Sequence, residues 1–360
     1  MPKDCVGIVY SPKYLDHQTG SHVESPERLV ATMDLIKSEK LLESPKFKLI
    51  EPRAATIDEI KTIHHADMIE YARSKSLQAQ GSSLEYLDGG DTVVCGQSFE
   101  VALLAAGGGM TAADAVLSGE VSSAFALVRP PGHHANASHS SGFCIFNNMA
   151  ILAEYLTKKK GFKRVGIFDI DLHHGNGTSE IFYERNDVLF FSSHQDPRTQ
   201  YPGTGFASDI GEGPGKGYNI NAPLAPGAGD DVVQLIFNQV IKPIFEQYNP
   251  EILLCSFGGD AHYSDPLSGL SFTTQGYGHY VEGFKKIADK CCGGKMVILL
   301  EGGYRVKILA QSIVNILNVL AGQEMPFVEG EHESGENIMA YHEQLAKKMK
   351  EHFKPHWKFE

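Results

Sequence analysis

Residues 163–178 read KRVGIFDIDLHHGNGT, an apolar run that stops abruptly at two carboxylates and two imidazoles. Val165 to Phe168 predicts a central strand of a parallel sheet. Asp169, Asp171 and His173 then recur at every second residue, which in extended backbone sets all three on one side. Neighbours placed like that can share one metal ion. Gly175 and Gly177 break the strand, and Asn176 or Thr178 is expected to cap a helix over SEIFYE. In an open parallel sheet the carboxyl end of a strand is where ligands bind. A strand edge whose histidines merely satisfy hydrogen bonds is the plain alternative. Against it, desolvating four closely spaced ionisable groups costs several kcal/mol unless a partner such as a divalent cation is present.

The same pattern of apolar run and polar end returns along the chain. Cys5 to Tyr10 reads as a first strand, and HQTGSHVESPERL leads into a helix signalled by Ser25, Pro26 and Glu27. A helical region runs from Thr56 to about Leu77, followed by the turn-rich loop QAQGSSLEYLDGGDT. Gln97 to Leu117 is a long helix in which Gly107, Gly108 and Gly109 read as packing positions, because no phosphate-loop signature follows a strand there. Ser123 to Val128 is a strand, and Pro130, Pro131 and Gly132 after it force a rigid turn that holds His133 and His134 at the strand end. Gly142 to Phe146 continues in apolar and aromatic residues, as a loop folded inward to wall a pocket does.

A helix from about Asn148 to Lys159 precedes the opening strand. Beyond it come a strand from Asp187 to Ser193, an extended stretch from Tyr218 to Asn221 and a helix from Asp230 to Tyr248. Glu251 to Phe257 is a strand that ends in Gly258, Gly259 and Asp260. After a helix near Gln275 to Lys290, the strand from Lys295 to Leu300 ends in EGGY, and a last helix reaches about Leu320. Strands alternating with helices, with polar groups at successive strand ends, predict a doubly wound parallel sheet with one active edge. One domain, 1–360, is expected, with a charged tail over 327–360 docking only loosely.

Composition narrows the function. A chain of 360 residues, 42% hydrophobic and 21% charged, has ample material for a large core. The first residues lack the pattern of a signal peptide, and no apolar run reaches the roughly 18 residues that span a bilayer. A cytoplasmic protein with no membrane partner is therefore expected. The six cysteines contain no CxxC pair, so neither a zinc knuckle nor a redox dithiol is indicated. The net charge of −12 argues against nucleic acid as a partner and tolerates cationic substrates.

Taken together, Arg129 to Ala135, Asp169 to Thr178, Gly258 to Asp260 and Glu301 to Tyr304 resemble the zinc-dependent histone deacetylase and acetylpolyamine amidohydrolase superfamily. The resemblance runs from ESPERL to EGGYRV in the family's order. The EGGY wording, with Asn176 where class I enzymes usually carry Asp, looks like the class II or bacterial branch. The resemblance implies the arginase/deacetylase α/β fold, a largely parallel sheet of about eight strands with helices on both faces. It also implies a hydrolase that removes acetyl or longer acyl groups from lysine side chains.

By the same resemblance Asp171, His173 and Asp260 would be ligands to one zinc ion per chain, a three-ligand set that leaves a position open. His134 would act as general base, His133 as electrostatic support oriented by Asp169, and Asn176 as the hydrogen-bond partner of His134. Tyr304 would donate its hydroxyl to the developing oxyanion. Phe143 and Tyr201 would wall a narrow channel, with Gly142 beside the substrate amide, and the Tyr201 wall is more polar than the Phe the family more often has there. Asp169, Asp171, His173, Ser192 and Ser193 match an inner potassium site. Phe182, Arg185, Val188 and Tyr218 match a second.

Three other readings compete. A binuclear manganese hydrolase of the arginase type shares the fold but wants Asp-x-His-x-Asp where this chain has Asp169-Ile-Asp171-Leu-His173. A non-catalytic acyl-lysine binding module would lack the tyrosine that stands at 304, and a structural scaffold leaves the ligand set without a reason. An acetylpolyamine amidohydrolase is the main alternative on substrate. Its polyamine-specific eukaryotic branch has a glutamate seven residues after the last zinc aspartate, the position of Leu267 here. That loss of charge favours an acylated lysine in a peptide or protein over an acetylated polyamine. Long-tailed hydroxamates are expected to inhibit, and the oligomeric state is left open.

Overall fold

Short runs such as VGIV, VGIFD, ILLCSF and MVILL have no polar face to show to solvent, so they suit a sheet covered on both sides. In the computed structural model, which describes residues 5–79, 81, 83–330 and 332–359, these runs pair side by side. The strands are β1 (Val6–Val9), β2 (Phe47–Ile50), β3 (Glu85–Tyr86), β4 (Val93–Val94) and β5 (Ser123–Ala126). They continue with β6 (Val165–Asp169), β7 (Val188–Gln195), β8 (Asn219–Leu224), β9 (Ile252–Phe257) and β10 (Met296–Leu300). The helices are α1 (Glu27–Ser38), α2 (Ile57–Ile60), α3 (Ala66–Gln78), α4 (Ser98–Leu117), α5 (Asn148–Glu154) and α6 (Asn176–Phe182). After them come α7 (Asp230–Ile236), α8 (Lys242–Tyr248), α9 (Thr274–Cys292), α10 (Val306–Leu320) and α11 (Glu336–Phe353).

Eight strands form one sheet in the order β2-β1-β5-β10-β9-β6-β7-β8, and every pairing in it is parallel. Helices cover both faces: α4 lies against β1, β5 and β10, and α1, α10 and α9 pack on one another, α9 against β9. This is the arginase/deacetylase arrangement. The chain passes from β5 to β6 across two places that β10 and β9 fill only later. Where strand order switches in this way a crevice opens outside the carboxyl ends, and binding groups gather there.

Several elements differ from the expectations. The helical region after Thr56 is two helices. Thr56 and Glu59 close a capping box on α2, which ends at Ile60, and beyond it the His64 ring turns inward with Nε2 accepting the Asn147 N–H at 2.9 Å. The helix from Asp230 to Tyr248 is continuous but widens into a π-turn over Phe237–Ile241, just ahead of Pro243, which has no N–H to give to a regular turn. Neither Asn176 nor Thr178 caps α6. The Asn176 side chain is committed to His134, and the Thr178 hydroxyl donates to Asn147 Oδ1 at 3.3 Å. The edge strand β2 and the antiparallel pair β3–β4 are too short and mixed to show a period.

Helix α4 is 20 residues long and apolar enough to cross a bilayer by length and composition, contrary to the reading of the apolar runs. In the fold it is core, with 78% of its most apolar window buried. A Cβ at Gly107 would fall 1.9 Å from the Arg53 carbonyl oxygen, so the glycine is what lets that loop approach. The tail is not loosely docked. Helix α11 buries His342, Leu345, Ala346, Met349 and Phe353, and the Trp357 indole N–H donates to the Gly217 carbonyl at 2.7 Å. The scattered charges that made it look solvated lie on its outer face, and the apolar residues at helical spacing lie on the inner one.

Candidate metal centre and channel

The end of β6 delivers Asp169, and the loop that follows carries Asp171 and His173 to the floor of the crevice. Asp260 arrives from the end of β9, the neighbouring strand. The Asp171, His173 and Asp260 donor atoms lie within 4.8 Å of one another, and all three side chains are buried. His173 presents Nδ1, 3.0 Å from Asp171 Oδ1 and 3.1 Å from Asp260 Oδ2. Asp260 Oδ2 accepts no hydrogen bond, although Asp260 Oδ1 takes the Leu172 N–H at 3.0 Å. An orphaned, fully buried carboxylate oxygen beside an imidazole nitrogen and a second carboxylate fits a divalent cation.

Charges crowded so closely perturb one another. Burial pushes Asp260 up to about 6, reinforced by Asp171. Burial alone would depress His173, yet Asp171 and Asp260 raise it to about 10. Asp171 is also desolvated, and the imidazoles of His133 and His173 hold it below the usual carboxylate range. Glycines make the crowding sterically feasible. A Cβ at Gly258 would sit 1.9 Å from Asp171 Oδ2, and one at Gly302 would sit 2.4 Å from Asp260 Oδ2.

Two histidines come from the turn after β5, and their partners set them apart. His133 Nδ1 lies 2.9 Å from Asp169 Oδ2. Burial opposes its charge, but Asp169 and Asp171 raise it to about 10, so it is held as the imidazolium. His134 Nδ1 lies 2.7 Å from Asn176 Oδ1, a neutral partner. Burial, His133 and His173 all push His134 well below the ordinary histidine value. With an acceptor facing Nδ1 the proton sits there, which leaves Nε2 as the basic nitrogen.

Tyr304 follows the glycine pair after β10. Gly303 has φ +112, a conformation that L side chains avoid, and a Cβ there would meet the Gly259 N–H at 2.8 Å. The buried Arg28 guanidinium secures the turn from behind: Nε donates to the Gly303 carbonyl at 2.8 Å, and Cζ stands 5.3 Å from the Tyr304 ring centroid.

A cavity of about 620 Å³ leads to this centre, and His133, His134, His173 and Tyr304 line it. Gly142, Phe143, Tyr201 and Leu267 line it too. Gly142, at φ +54, leaves no room for a side chain, since a Cβ would meet the His134 ring at 2.5 Å. Phe143 stands edge-on to Tyr304, ring centroids 5.8 Å apart, and Tyr201 edge-on to His134 at 5.1 Å. Tyr201 and Leu267 are partly exposed, which puts them at the mouth.

Ser192 pairs in register with Asp169 between β7 and β6, and Ser193 follows it. Phe182, Arg185, Val188 and Tyr218 gather at the far end of β7, where Arg185 lies over the Phe182 ring at 5.0 Å. Sequence reading gave no role to Glu301, although it opens the EGGY motif. Its Oε2 accepts the Gly132 N–H at 2.6 Å and the His133 N–H at 3.1 Å, and burial pushes it up to about 7. Glu24, the first of the two glutamates of ESPERL, likewise carries no local signal of its role. Glu24 lies fully buried between Arg28 and Arg129, with contacts of 3.0 Å and 2.8 Å.

An eight-stranded parallel sheet with a buried donor set that could hold a metal ion and a histidine pair at its carboxyl edge defines a hydrolase of the arginase/deacetylase fold. Residues 22–320 match the histone deacetylase domain model. A probable deacetylase of Archaeoglobus fulgidus is 40% identical over 89% of this chain and 87% of its own. Histone deacetylase 14, chloroplastic, of Arabidopsis thaliana is 38% identical over 88% and 77%. A histone deacetylase-like amidohydrolase of Pseudomonas aeruginosa is 36% identical over 79% and 72%. The crystal structure of the HDA15 HD domain superposes with a TM-score of 0.88 at 30% identity, covering 98% of this chain and 95% of that one. The chain belongs to the histone deacetylase family, and deacetylase-type amide hydrolysis is its chemistry.

Proposed function

We propose that the protein is a zinc-dependent deacetylase that removes acetyl or longer acyl groups from lysine side chains of peptides or proteins. The observation that carries this reading is the buried Asp171–His173–Asp260 group at the floor of a cavity that His134 and Tyr304 also line. One imidazole nitrogen and two carboxylate oxygens suit zinc, which when bound there would polarise the amide carbonyl and acidify water. His134, neutral with Nε2 basic, takes a proton from the attacking water and returns it to the leaving amine. His133, kept charged by Asp169, offsets the negative charge that develops beside it. The Tyr304 hydroxyl donates to the oxyanion. Asp169, Asp171, His173, Ser192 and Ser193 would hold a structural potassium ion, and Phe182, Arg185, Val188 and Tyr218 a second.

Leu267 at the mouth supports acyl-lysine as the substrate over acetylated polyamine, since it offers no charge to a distant ammonium. The test compares kcat/KM for an acetyl-lysine peptide with acetylated putrescine and spermidine, alongside zinc and manganese content per chain. One zinc and a preference for the peptide are expected. Two manganese ions per chain, or a strong preference for the polyamines, would replace this reading with the corresponding alternative.

A further inference from the structure

Tyr304 is the catalytic group furthest from the metal ligands in sequence logic, because glycines precede it and no regular element holds it. Glycine-rich backbone is costly to order, and a donor that wanders by an ångström loses most of its value. Something must hold this turn. Arg28 grips the carbonyl side through Glu301 and Gly303. The N–H side faces the other way, toward the loop between β9 and α9.

The carboxylate that meets it is Asp265. Its Oδ2 accepts the N–H of Tyr304 at 2.7 Å and of Arg305 at 2.9 Å, and its Oδ1 accepts the Leu267 N–H at 3.0 Å. The side chain is 5% exposed. Three backbone donors converge on one group, so only an acceptor-only side chain satisfies them all; an amide would turn its NH₂ toward at least one N–H. Tyr304 and Arg305 also stand at the entry to α10, where the unsatisfied N–H groups and the helix dipole favour a negative charge. The two loops are stitched a third time by Arg305 Nε, which donates to the Ser264 carbonyl at 3.1 Å.

We infer that Asp265 is a positioning residue for catalysis: it anchors the Tyr304 backbone to the same loop that places Leu267 at the channel mouth. This rests on the oxyanion role proposed for Tyr304. Asp265 does not line the cavity, so its loss should weaken the transition state mainly through Tyr304 and change ground-state binding only as far as Leu267 shifts. It also gives the mouth and the oxyanion donor a common support.

The test is a double-mutant cycle of Asp265→Asn with Tyr304→Phe in the metal-loaded enzyme, with metal content and melting temperature measured for each variant. Asp265→Asn alone should lower kcat by about 10- to 100-fold with KM within about twofold. In the Tyr304→Phe background it should cost no more than about twofold, because its effect passes through the missing hydroxyl. Asp265→Glu, which keeps an acceptor-only carboxylate, should recover part of the loss and serves in the cycle if the Asn variant does not fold. Equal losses in both backgrounds, or an unchanged kcat, would overturn the role of Asp265 while leaving that of Tyr304 intact. Full turnover in Tyr304→Phe alone would instead remove the oxyanion reading itself.

Discussion

His134 Nδ1 lies 2.7 Å from the side-chain oxygen of Asn176, so the histidine nearest the basic role has a neutral partner, whereas His133 has the carboxylate of Asp169. The two imidazoles sit 4.0 Å apart and are pushed in opposite directions. His134 is the one that stays deprotonated near neutrality, as a base must. A base depressed well below the ordinary value is active down to low pH. The acid limb of kcat/KM should therefore lie below the usual histidine range. Asn176→Asp would favour the imidazolium and move that limb upward by about 1 pH unit or more. A pH–rate profile with no upward shift in the variant would disconnect His134 from it.

Tyr304→Phe keeps the ring that packs on Phe143 and under Arg28 and deletes only the donor. A fall in kcat on the order of 100-fold is expected, with little change in metal content or melting temperature. Steady-state kinetics on an acetyl-lysine peptide decides it.

Metal should compete with protons at Asp260, which burial and Asp171 push up to about 6. Neither a protonated carboxyl nor the His173 imidazolium, itself raised to about 10, is a ligand, so metal affinity should weaken as pH falls below about 10 and fall more steeply as it drops through about 6. Equilibrium dialysis from about pH 5 to about pH 8 reads the transition. Asp260→Ala should lose both metal and activity, and a variant that keeps both at wild-type levels would refute the ligand assignment.

Glu24 sits between two buried guanidinium groups, whose attraction holds its carboxyl far below the normal range even though burial alone would raise it. Glu24→Gln leaves Arg28 and Arg129 without their charge partner and should destabilise the fold by roughly 3–5 kcal/mol. The wild-type contribution is present above the unfolded carboxylate range and is lost only as pH falls through the depressed folded value. Chemical denaturation at neutral pH measures the loss, and a change below about 1 kcal/mol would show the cluster to be dispensable.

Trp357 is 9% exposed, donates to Gly217 and stands edge-on to Tyr218 and Tyr248. Trp357→Ala should cost about 3–5 kcal/mol, an outcome that a loosely attached tail would not give. Thermal unfolding compares the two.

Much of the site was legible because its chemistry is local. Asp169, Asp171 and His173 alternate across the end of β6 and the loop after it, His133 and His134 follow a proline-fixed turn, and EGGY follows another strand, so residue type and spacing marked the candidates and the family resemblance supplied their proposed roles. The parallel sheet was legible for the same reason: runs such as MVILL have no polar face. What needed the tertiary structure were relationships between segments far apart in sequence. The order β5-β10-β9-β6, which brings Asp260 beside His173, follows from how crossovers pack. No periodicity encodes it. Glu24, Asp265 and Glu301 read as ordinary acids, since nothing local says that guanidinium or backbone N–H groups will converge on them. The docking of α11 depends on a complementary face that only the folded body supplies. The sequence by itself therefore determined which groups could do chemistry and at which strand ends. The tertiary structure decided which carboxylate each histidine and each loop would face, because burial turns those pairings into differences of charge state and position that an unfolded chain in water does not have.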